Sequence, residues 1–170
     1  MTMLFLIDLQ NDYFHEDGKF YFPESREIVG SLLERIQQAR ETGESILYTL
    51  NLYTDEDQRT VDKRNWASRL YEPFRETLEG HISLKKIYYG LSAKDADRIR
   101  ILFQTDPPET IEVAGVATNV CVLANAVIIQ NLFPDAEIII RKSLTRTEDQ
   151  QLGDMTYKVM AGMNMTVKAE

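Results

Sequence analysis

The sequence has very little cysteine and histidine, and it has no long apolar run. Cys121 is the only cysteine, so no disulfide can form within the chain. The only histidines, His15 and His81, are expected at the surface rather than as metal ligands. No apolar run approaches the roughly 18–20 residues of a membrane-spanning helix, and residues 1–9 lack the features of a signal peptide. We therefore expect a cytoplasmic protein that does not enter a membrane.

Basic residues are too few to suggest a partner with a phosphate backbone. The 19 Lys and Arg residues are outnumbered by 27 Asp and Glu residues, which gives a formal net charge of -8. An acidic chain without a basic cluster repels nucleic acid and anionic membrane surfaces. A small molecule is therefore the expected partner.

Apolar segments alternate with segments of helical period along the whole chain. The predicted strands are residues 3–7, 45–50, 83–86, 110–114, 137–140 and 165–167. The predicted helices are residues 24–42, a short helix within 65–78, and 93–103, 119–131 and 150–160. This order predicts one doubly wound, Rossmann-like α/β domain over residues 1–170, with three α/β/α layers and a parallel sheet of about six strands. The polar segment 53–65 is either an active-site loop or a solvated connection.

Three reactive side chains fall where strands of this predicted sheet end. Asp8 follows the first strand, Lys86 closes the third, and Cys121 lies in the first helical turn after the fourth. Ligands of doubly wound folds bind at the carboxyl ends of the strands, and the start of a helix favours a thiolate. Taken singly, Cys121 could be a buried structural cysteine, Asp8 a metal or phosphate ligand, and Lys86 a solvated lysine.

Three segments resemble the motifs of the isochorismatase-like cysteine hydrolases, which include the nicotinamidases. Residues 6–13 (Leu-Ile-Asp-Leu-Gln-Asn-Asp-Tyr) are similar to the opening motif of that family. Residues 86–90 (Lys-Ile-Tyr-Tyr-Gly) resemble the segment around its catalytic lysine, and residues 115–122 (Gly-Val-Ala-Thr-Asn-Val-Cys-Val) its nucleophile motif. The motifs occur in the family's order, and the α/β alternation fits the family's fold over nearly the whole chain.

The resemblance implies a catalytic set of Asp8, Lys86 and Cys121. Asp8 would move protons, Cys121 would attack a carbonyl to form a thioester-type intermediate, and Lys86 would favour the thiolate and orient Asp8. The resemblance also implies a cis peptide bond between Val116 and Ala117. The N–H groups of Ala117 and Cys121 would then form the oxyanion hole.

The sequence departs from the nicotinamidases at their metal site. The resemblance implies an Asp-x-His pair after the second strand and a further histidine downstream, whereas this chain has Asn51, Leu52 and Tyr53. An amide oxygen is a poorer ligand than a carboxylate, and a phenol supplies no imidazole nitrogen. We therefore predict no metal and no other cofactor.

Without a metal, other side chains must organise the substrate pocket. Aromatic rings would supply its walls, and asparagine side chains would hydrogen-bond a carbonyl or carboxylate of the substrate. The candidate substrate-binding residues are Tyr13, Phe14, Asn51, Trp66, Tyr89 and Asn119.

The leading interpretation is a hydrolase that cleaves an amide, carbamoyl or ureide C–N bond in a small molecule. One alternative is vinyl-ether hydrolysis, the reaction that the resemblance associates with isochorismatases, which generally lack the cysteine. Another is a non-enzymatic small-molecule binder or thiol sensor on the same fold. The presence of Asp8, Lys86 and Cys121 together favours the first. The apolar helix 119–131 and the resemblance both favour a homo-oligomer.

Overall fold

A single parallel sheet of six strands organises the computed structural model, which describes residues 1–170. The strands are β1 (Thr2–Ile7), β2 (Ser45–Asn51), β3 (Ile82–Lys86), β4 (Thr110–Val116), β5 (Glu137–Arg146) and β6 (Thr166–Lys168). Their order across the sheet is β3-β2-β1-β4-β5-β6, and all neighbours are parallel. This order confirms the predicted doubly wound α/β fold. The strand order reverses between β1 and β4, where ligands bind in such folds.

Seven α-helices connect the strands or extend the connections. They are α1 (Asn11–Phe14), α2 (Val29–Thr42), α3 (Val61–Ala67), α4 (Arg75–Leu78), α5 (Ala93–Leu102), α6 (Leu123–Leu132) and α7 (Gln150–Gly162). Two 3₁₀ segments, Pro23–Ile28 and Glu72–Phe74, precede α2 and α4, and a π-helical turn, Thr118–Val122, precedes α6. None of the helices combines the length and apolarity that crossing a membrane requires.

Several predicted boundaries differ from those of the structure. The predicted helix 24–42 is a 3₁₀ segment up to Ile28 and an α-helix only from Val29. The region 65–78 holds the end of α3, the 3₁₀ segment Glu72–Phe74 and the whole of α4 in place of a single short helix. Strand β5 extends past residue 140, since a bulge in its pairing with β4 lets Arg146 pair with Val116.

The core consists of two apolar clusters, one on each face of the sheet. Strand β1 contributes to both because its side chains alternate: Phe5 and Ile7 pack in one cluster, and Leu4 and Leu6 in the other. Residues of α5, α6 and α7 complete the first cluster, and residues of α2 and α4 complete the second. Burial on both faces fixes the end of β1, and therefore Asp8, at the centre of the molecule.

Gly115 allows β4 to approach the end of β1 closely. Its φ of 119° is unfavourable for other residues, and a Cβ at this position would lie 2.1 Å from the carbonyl oxygen of Ile7. We expect Gly115→Ala to lower the free energy of unfolding by more than about 2 kcal/mol. Urea unfolding followed by circular dichroism measures this change.

Gly30→Ala is the matched control for that substitution. Gly30 lies in α2, and a Cβ there would meet no heavy atom within 4 Å. Alanine in this helix should raise the free energy of unfolding by about 0.5–1 kcal/mol. Equal urea midpoints for the two variants would contradict the tight approach of β4 to β1.

Candidate active site

The carboxyl ends of three strands bring Asp8, Lys86 and Cys121 together. Lys86 Nζ lies 2.7 Å from Asp8 Oδ2 and donates a hydrogen bond to Cys121 Sγ at 3.6 Å. The side chains of Asp8 and Lys86 are fully buried, and Cys121 is 4 % exposed. The Val116–Ala117 peptide bond beside them is cis, as the resemblance implied. Three distant segments thus form one acid, amine and thiol cluster, and the role of each member stays a prediction.

Asp8 has an unusual backbone conformation that a neighbouring threonine stabilises. Its φ is 55°, which costs a non-glycine residue about 1–3 kcal/mol and persists only where the surroundings enforce it. The N–H of Asp8 donates to Thr49 Oγ1 at 3.1 Å, and the Thr49 hydroxyl donates to Asp8 Oδ1 at 2.6 Å. The sequence analysis missed Thr49, whose only signal is a polar side chain inside a predicted apolar strand.

Lys86 is held by three further groups besides the thiol. Its ammonium group contacts the Asp8 carboxylate and donates to Asn51 Oδ1 and to the carbonyl oxygen of Tyr88, both at 3.2 Å. The neighbouring residue, Lys85, is exposed because successive side chains of β3 point to opposite faces. Lys86, and not Lys85, is therefore the lysine of β3 that reaches Asp8 and Cys121.

Asn125 positions the segment after Lys86 and was also missed by the sequence analysis. This buried residue of α6 donates to the carbonyl oxygens of Tyr89 at 2.9 Å and Cys121 at 2.7 Å. It also accepts the N–H of Leu91 at 3.0 Å. A single amide therefore joins the loop after β3 to the turn that carries the thiol.

The Cys121 thiol holds its proton in the resting protein. Burial and the nearby Asp8 carboxylate raise the pKa of Cys121 to about 12, although Lys86 acts in the opposite direction. Loss of solvent therefore opposes the thiolate that the start of the helix is expected to favour. A base must remove the proton as the sulfur attacks.

A cavity of about 600 Å³ opens over the thiol. Cys121 and Ala117 form part of its wall, while Asp8 and Lys86 lie behind that wall, out of contact with solvent. Aromatic side chains that were not among the predicted substrate-binding residues supply much of the remaining surface: Phe20, Tyr21, Phe22, Tyr53 and Tyr88. Its size suits a small molecule.

Four of the six predicted substrate-binding residues line this cavity: Tyr13, Asn51, Tyr89 and Asn119. The prediction for Phe14 is wrong. This residue is fully buried in the core and packs edge-on against Phe74, because consecutive residues of α1 point in different directions. Trp66 also lies outside the cavity, where its ring packs edge-on against His15 with centroids 5.1 Å apart.

The family model described as the isochorismatase domain matches residues 2–167. The chain belongs to the isochorismatase family. This membership confirms the resemblance read from the three motifs, and the chain is accordingly a hydrolase of the isochorismatase family.

Solved structures of this family share the fold. A pyrazinamidase/nicotinamidase from Streptococcus mutans UA159 is 21 % identical, with a TM-score of 0.81 over 98 % of this chain and 99 % of its own. A pyrazinamidase of Pyrococcus horikoshii in complex with zinc is 16 % identical, with a TM-score of 0.80 over 98 % and 97 %. An isochorismatase-like hydrolase from Alkaliphilus metalliredigens is 18 % identical, with a TM-score of 0.79 over 98 % and 93 %. No protein with a curated description matches the chain significantly.

The residues of this isochorismatase-family chain do not fit a nicotinamidase-type metal site. Asn51 Oδ1 already accepts a hydrogen bond from Lys86 Nζ. Burial and the nearby Asp12 carboxylate raise the pKa of Tyr53, so its phenol keeps its proton and is a poor ligand. No group of three or more His, Cys, Asp or Glu side chains is arranged to hold a metal ion. The absence of a metal, the homo-oligomer and the cytoplasmic location stay predictions.

Proposed function

We propose that the chain is a cysteine-dependent hydrolase that cleaves the C–N bond of a small amide, carbamoyl compound or ureide through a covalent acyl-enzyme. The observation that carries the proposal is the contact of Lys86 with both Asp8 and Cys121 at the wall of the cavity. A thiol that is protonated at rest needs a base beside it, and the Asp8 carboxylate is the adjacent base.

In the first half of the reaction, Asp8 takes the thiol proton while Cys121 Sγ attacks the carbonyl carbon. The resulting oxyanion is held by the N–H groups of Ala117 and Cys121, the pair that the resemblance implies. The tetrahedral intermediate collapses as the C–N bond breaks. Asp8 returns its proton to the leaving nitrogen, which departs as ammonia or an amine. Lys86 stays cationic and balances the charge on Asp8 and sulfur.

In the second half, water hydrolyses the acyl-enzyme. Asp8, now a carboxylate again, takes a proton from water as the oxygen attacks the thioester carbon. The C–S bond breaks, the carboxylic or carbamic product leaves, and Cys121 Sγ recovers the proton from Asp8. The buried position of Asp8 and Lys86 behind the cavity wall limits water to the substrate side.

Two asparagine amides are placed to orient the substrate. Asn119 Oδ1 accepts a hydrogen bond from the Thr147 hydroxyl, and Asn51 Oδ1 accepts one from Lys86. Both residues line the cavity, so their amide NH₂ groups are candidate donors to the substrate. Tyr13 and Tyr89 supply apolar surface beside them. This arrangement favours a substrate with hydrogen-bond acceptors around a planar carbonyl group.

Release of ammonia from a panel of small amides, carbamoyl compounds and ureides tests the proposal. The wild-type protein and Cys121→Ala are assayed side by side. Release by the wild type alone supports a cysteine-dependent C–N hydrolase and begins to define its substrate. Absence of release by both proteins over a broad panel would overturn the proposal, and isochorismate would then test vinyl-ether hydrolysis.

Thr49→Val separates the orientation of Asp8 from the presence of its carboxylate. Valine keeps the shape of threonine but removes the hydroxyl that contacts the Asp8 N–H and Oδ1. We expect kcat to fall about tenfold or more, because Asp8 is then poorly aimed at the thiol, with little change in KM. Thr49→Ser keeps the hydroxyl and should restore most of kcat. Steady-state kinetics on the best substrate of the panel checks this, and equal kcat values for Val and Ser would contradict it.

A further inference from the structure

Three stacked rings form a wall of the cavity, and one guanidinium packs against this wall. The rings of Tyr13 and Phe20 stack with centroids 5.9 Å apart, and those of Phe20 and Tyr53 with centroids 6.3 Å apart. The guanidinium carbon of Arg59 lies 4.5 Å from the centroid of the Tyr53 ring. All three rings line the cavity that contains Cys121. Arg59 is therefore in direct contact with the wall that faces the thiol.

Arg59 joins two separate segments of the chain through two carboxylates. Nη1 and Nη2 donate to the two oxygens of Asp12 at 2.6 and 2.9 Å, and Asp12 directly precedes Tyr13. Nε and Nη2 donate to the two oxygens of Asp57, both at 2.9 Å. Asp12 is fully buried. Such two-pronged contacts fix orientation as well as distance, so the segments that carry Tyr13 and Tyr53 are held in one relative position.

A second cation, Lys19, lies beside this ion network. Lys19 Nζ lies 3.5 Å from Asp57 Oδ2 and 5.3 Å from the centroid of the Phe20 ring. The hydrogen bonds from Arg59 hold the pKa of Asp57 below its usual range, so this carboxylate stays ionised. Two cations thus already compensate the acidic groups beside the wall. A divalent cation placed here would meet their repulsion instead of vacant carboxylates.

We propose that Arg59 is a positioning residue that clamps the Tyr13–Phe20–Tyr53 wall in the shape that receives a planar ring, and that its fixed charge makes ligand binding here independent of a divalent metal. The inference rests on the proposed function only for the statement that this ligand is the substrate. Its test needs no turnover.

Alkylation of Cys121 by 2-iodo-N-phenylacetamide provides the test. Sγ forms a bond to the methylene carbon as the C–I bond breaks and iodide leaves. Because Cys121 is the only cysteine, the mass of the intact protein reports this one reaction. The rate at increasing probe concentration separates the affinity for the phenyl compound, KI, from the maximal rate, kinact. Iodoacetamide, which lacks the ring, serves as the reference probe.

Arg59→Met should raise KI for the phenyl probe about tenfold or more, and should change kinact and the iodoacetamide rate by less than about threefold. Arg59→Lys keeps the charge but loses the two-pronged contacts. Its KI for the phenyl probe should lie between the values of the wild-type protein and Arg59→Met. Arg59→Met leaves the buried Asp12 unpaired and could fail to fold. The double variant Asp12→Asn/Arg59→Met removes both charges, so it keeps the test valid, and it should show the same rise in KI.

Arg26→Met is the matched control. The Arg26 guanidinium carbon also lies over a cavity-lining ring, 5.2 Å from the centroid of Tyr21, but its Nε donates to the carbonyl oxygen of Phe14 at 3.0 Å and not to a carboxylate. Its KI should stay within about threefold of the wild-type value. An equal rise in KI for Arg26→Met and Arg59→Met would overturn the clamp. A folded double variant with the wild-type KI would also overturn it. So would a wild-type protein whose alkylation rate does not saturate with the phenyl probe.

Metal independence is measured on the same reaction. EDTA and added zinc should each leave KI of the wild-type protein unchanged, and the purified protein should contain far less than one transition-metal ion per chain. A several-fold rise in KI with EDTA, or zinc bound one to one, would overturn this part. If the clamp is confirmed while no amide is hydrolysed, the proposed function fails and the inference about the wall stands.

Discussion

Cys121→Ala should lower the rate of amide hydrolysis by at least about 10³-fold, because it removes the only thiol of the chain. The side chain is nearly buried and belongs to the first apolar cluster, and alanine removes only the sulfur atom, so we expect little effect on the fold. Rates are compared on the best substrate of the ammonia-release panel. Circular dichroism and thermal unfolding check that the Cys121→Ala variant remains folded.

Rapid-quench mass spectrometry distinguishes covalent catalysis from a merely structural thiol. The wild-type protein should gain the mass of the acyl group during turnover, and Cys121→Ala should gain none. Cys121→Ser should retain little activity, since a hydroxyl holds its proton more firmly than a thiol. Hydrolysis by Cys121→Ala within tenfold of the wild-type rate would exclude the acyl-enzyme and favour vinyl-ether chemistry.

The raised pKa of Cys121 makes both the alkylation of its thiol and its contribution to stability depend on pH. The pKa of the Cys121 thiol is about 12 in the folded protein, whereas in an unfolded chain the thiol has the ordinary pKa of cysteine. Alkylation by iodoacetamide should therefore be slow at neutral pH and rise steeply towards pH 12. For the same reason, the contribution of this group to stability is fully present at neutral pH and is lost as the pH rises from the ordinary value to about 12. A plateau in alkylation below pH 9 would contradict the protonated resting state.

Lys86→Met should both abolish hydrolysis and destabilise the protein by about 3–5 kcal/mol, because it leaves the Asp8 carboxylate buried without its cationic partner. The side chains of both residues are fully buried and only 2.7 Å apart. Urea unfolding measures the loss of stability, and ammonia release measures the loss of activity. Lys85→Met is the matched control. Lys85 is the adjacent, exposed lysine, and its substitution should change stability by less than about 0.5 kcal/mol and leave activity intact.

The double variant Asp8→Asn/Lys86→Met separates stability from catalysis. Removing both charges relieves the unpaired carboxylate, so the double variant should recover most of the stability that Lys86→Met loses. It should remain inactive, since neither the base nor the cation is present. If the double variant unfolds at the same urea concentration as Lys86→Met, the ion pair is not the source of the instability. Activity in either variant would remove Lys86 from the proposed mechanism.

The sequence by itself determined the order of strands and helices and the family. Apolar strands such as 3–7 and 110–114 are buried on both faces, so their composition reveals them without knowledge of their neighbours. The positions of Asp8, Lys86 and Cys121 followed as well. Each comes at or just after a strand end, and parallel strands bring their carboxyl ends to one edge. The motifs that carry these residues are local in the sequence, so no three-dimensional information was needed to find them.

Only the tertiary structure decided how these residues are held and what surrounds them. Thr49 contacts Asp8 across 41 positions of sequence, and Arg59 reaches Asp12 across 47, separations that no local pattern reports. Phe14 and Tyr13 are adjacent aromatic residues, yet packing places one in the core and the other at the cavity. The raised pKa of Cys121 depends on burial and on the nearby Asp8 carboxylate, neither of which the sequence alone shows. Burial and long-range contact arise from how the elements pack together, and no single segment of the sequence contains them.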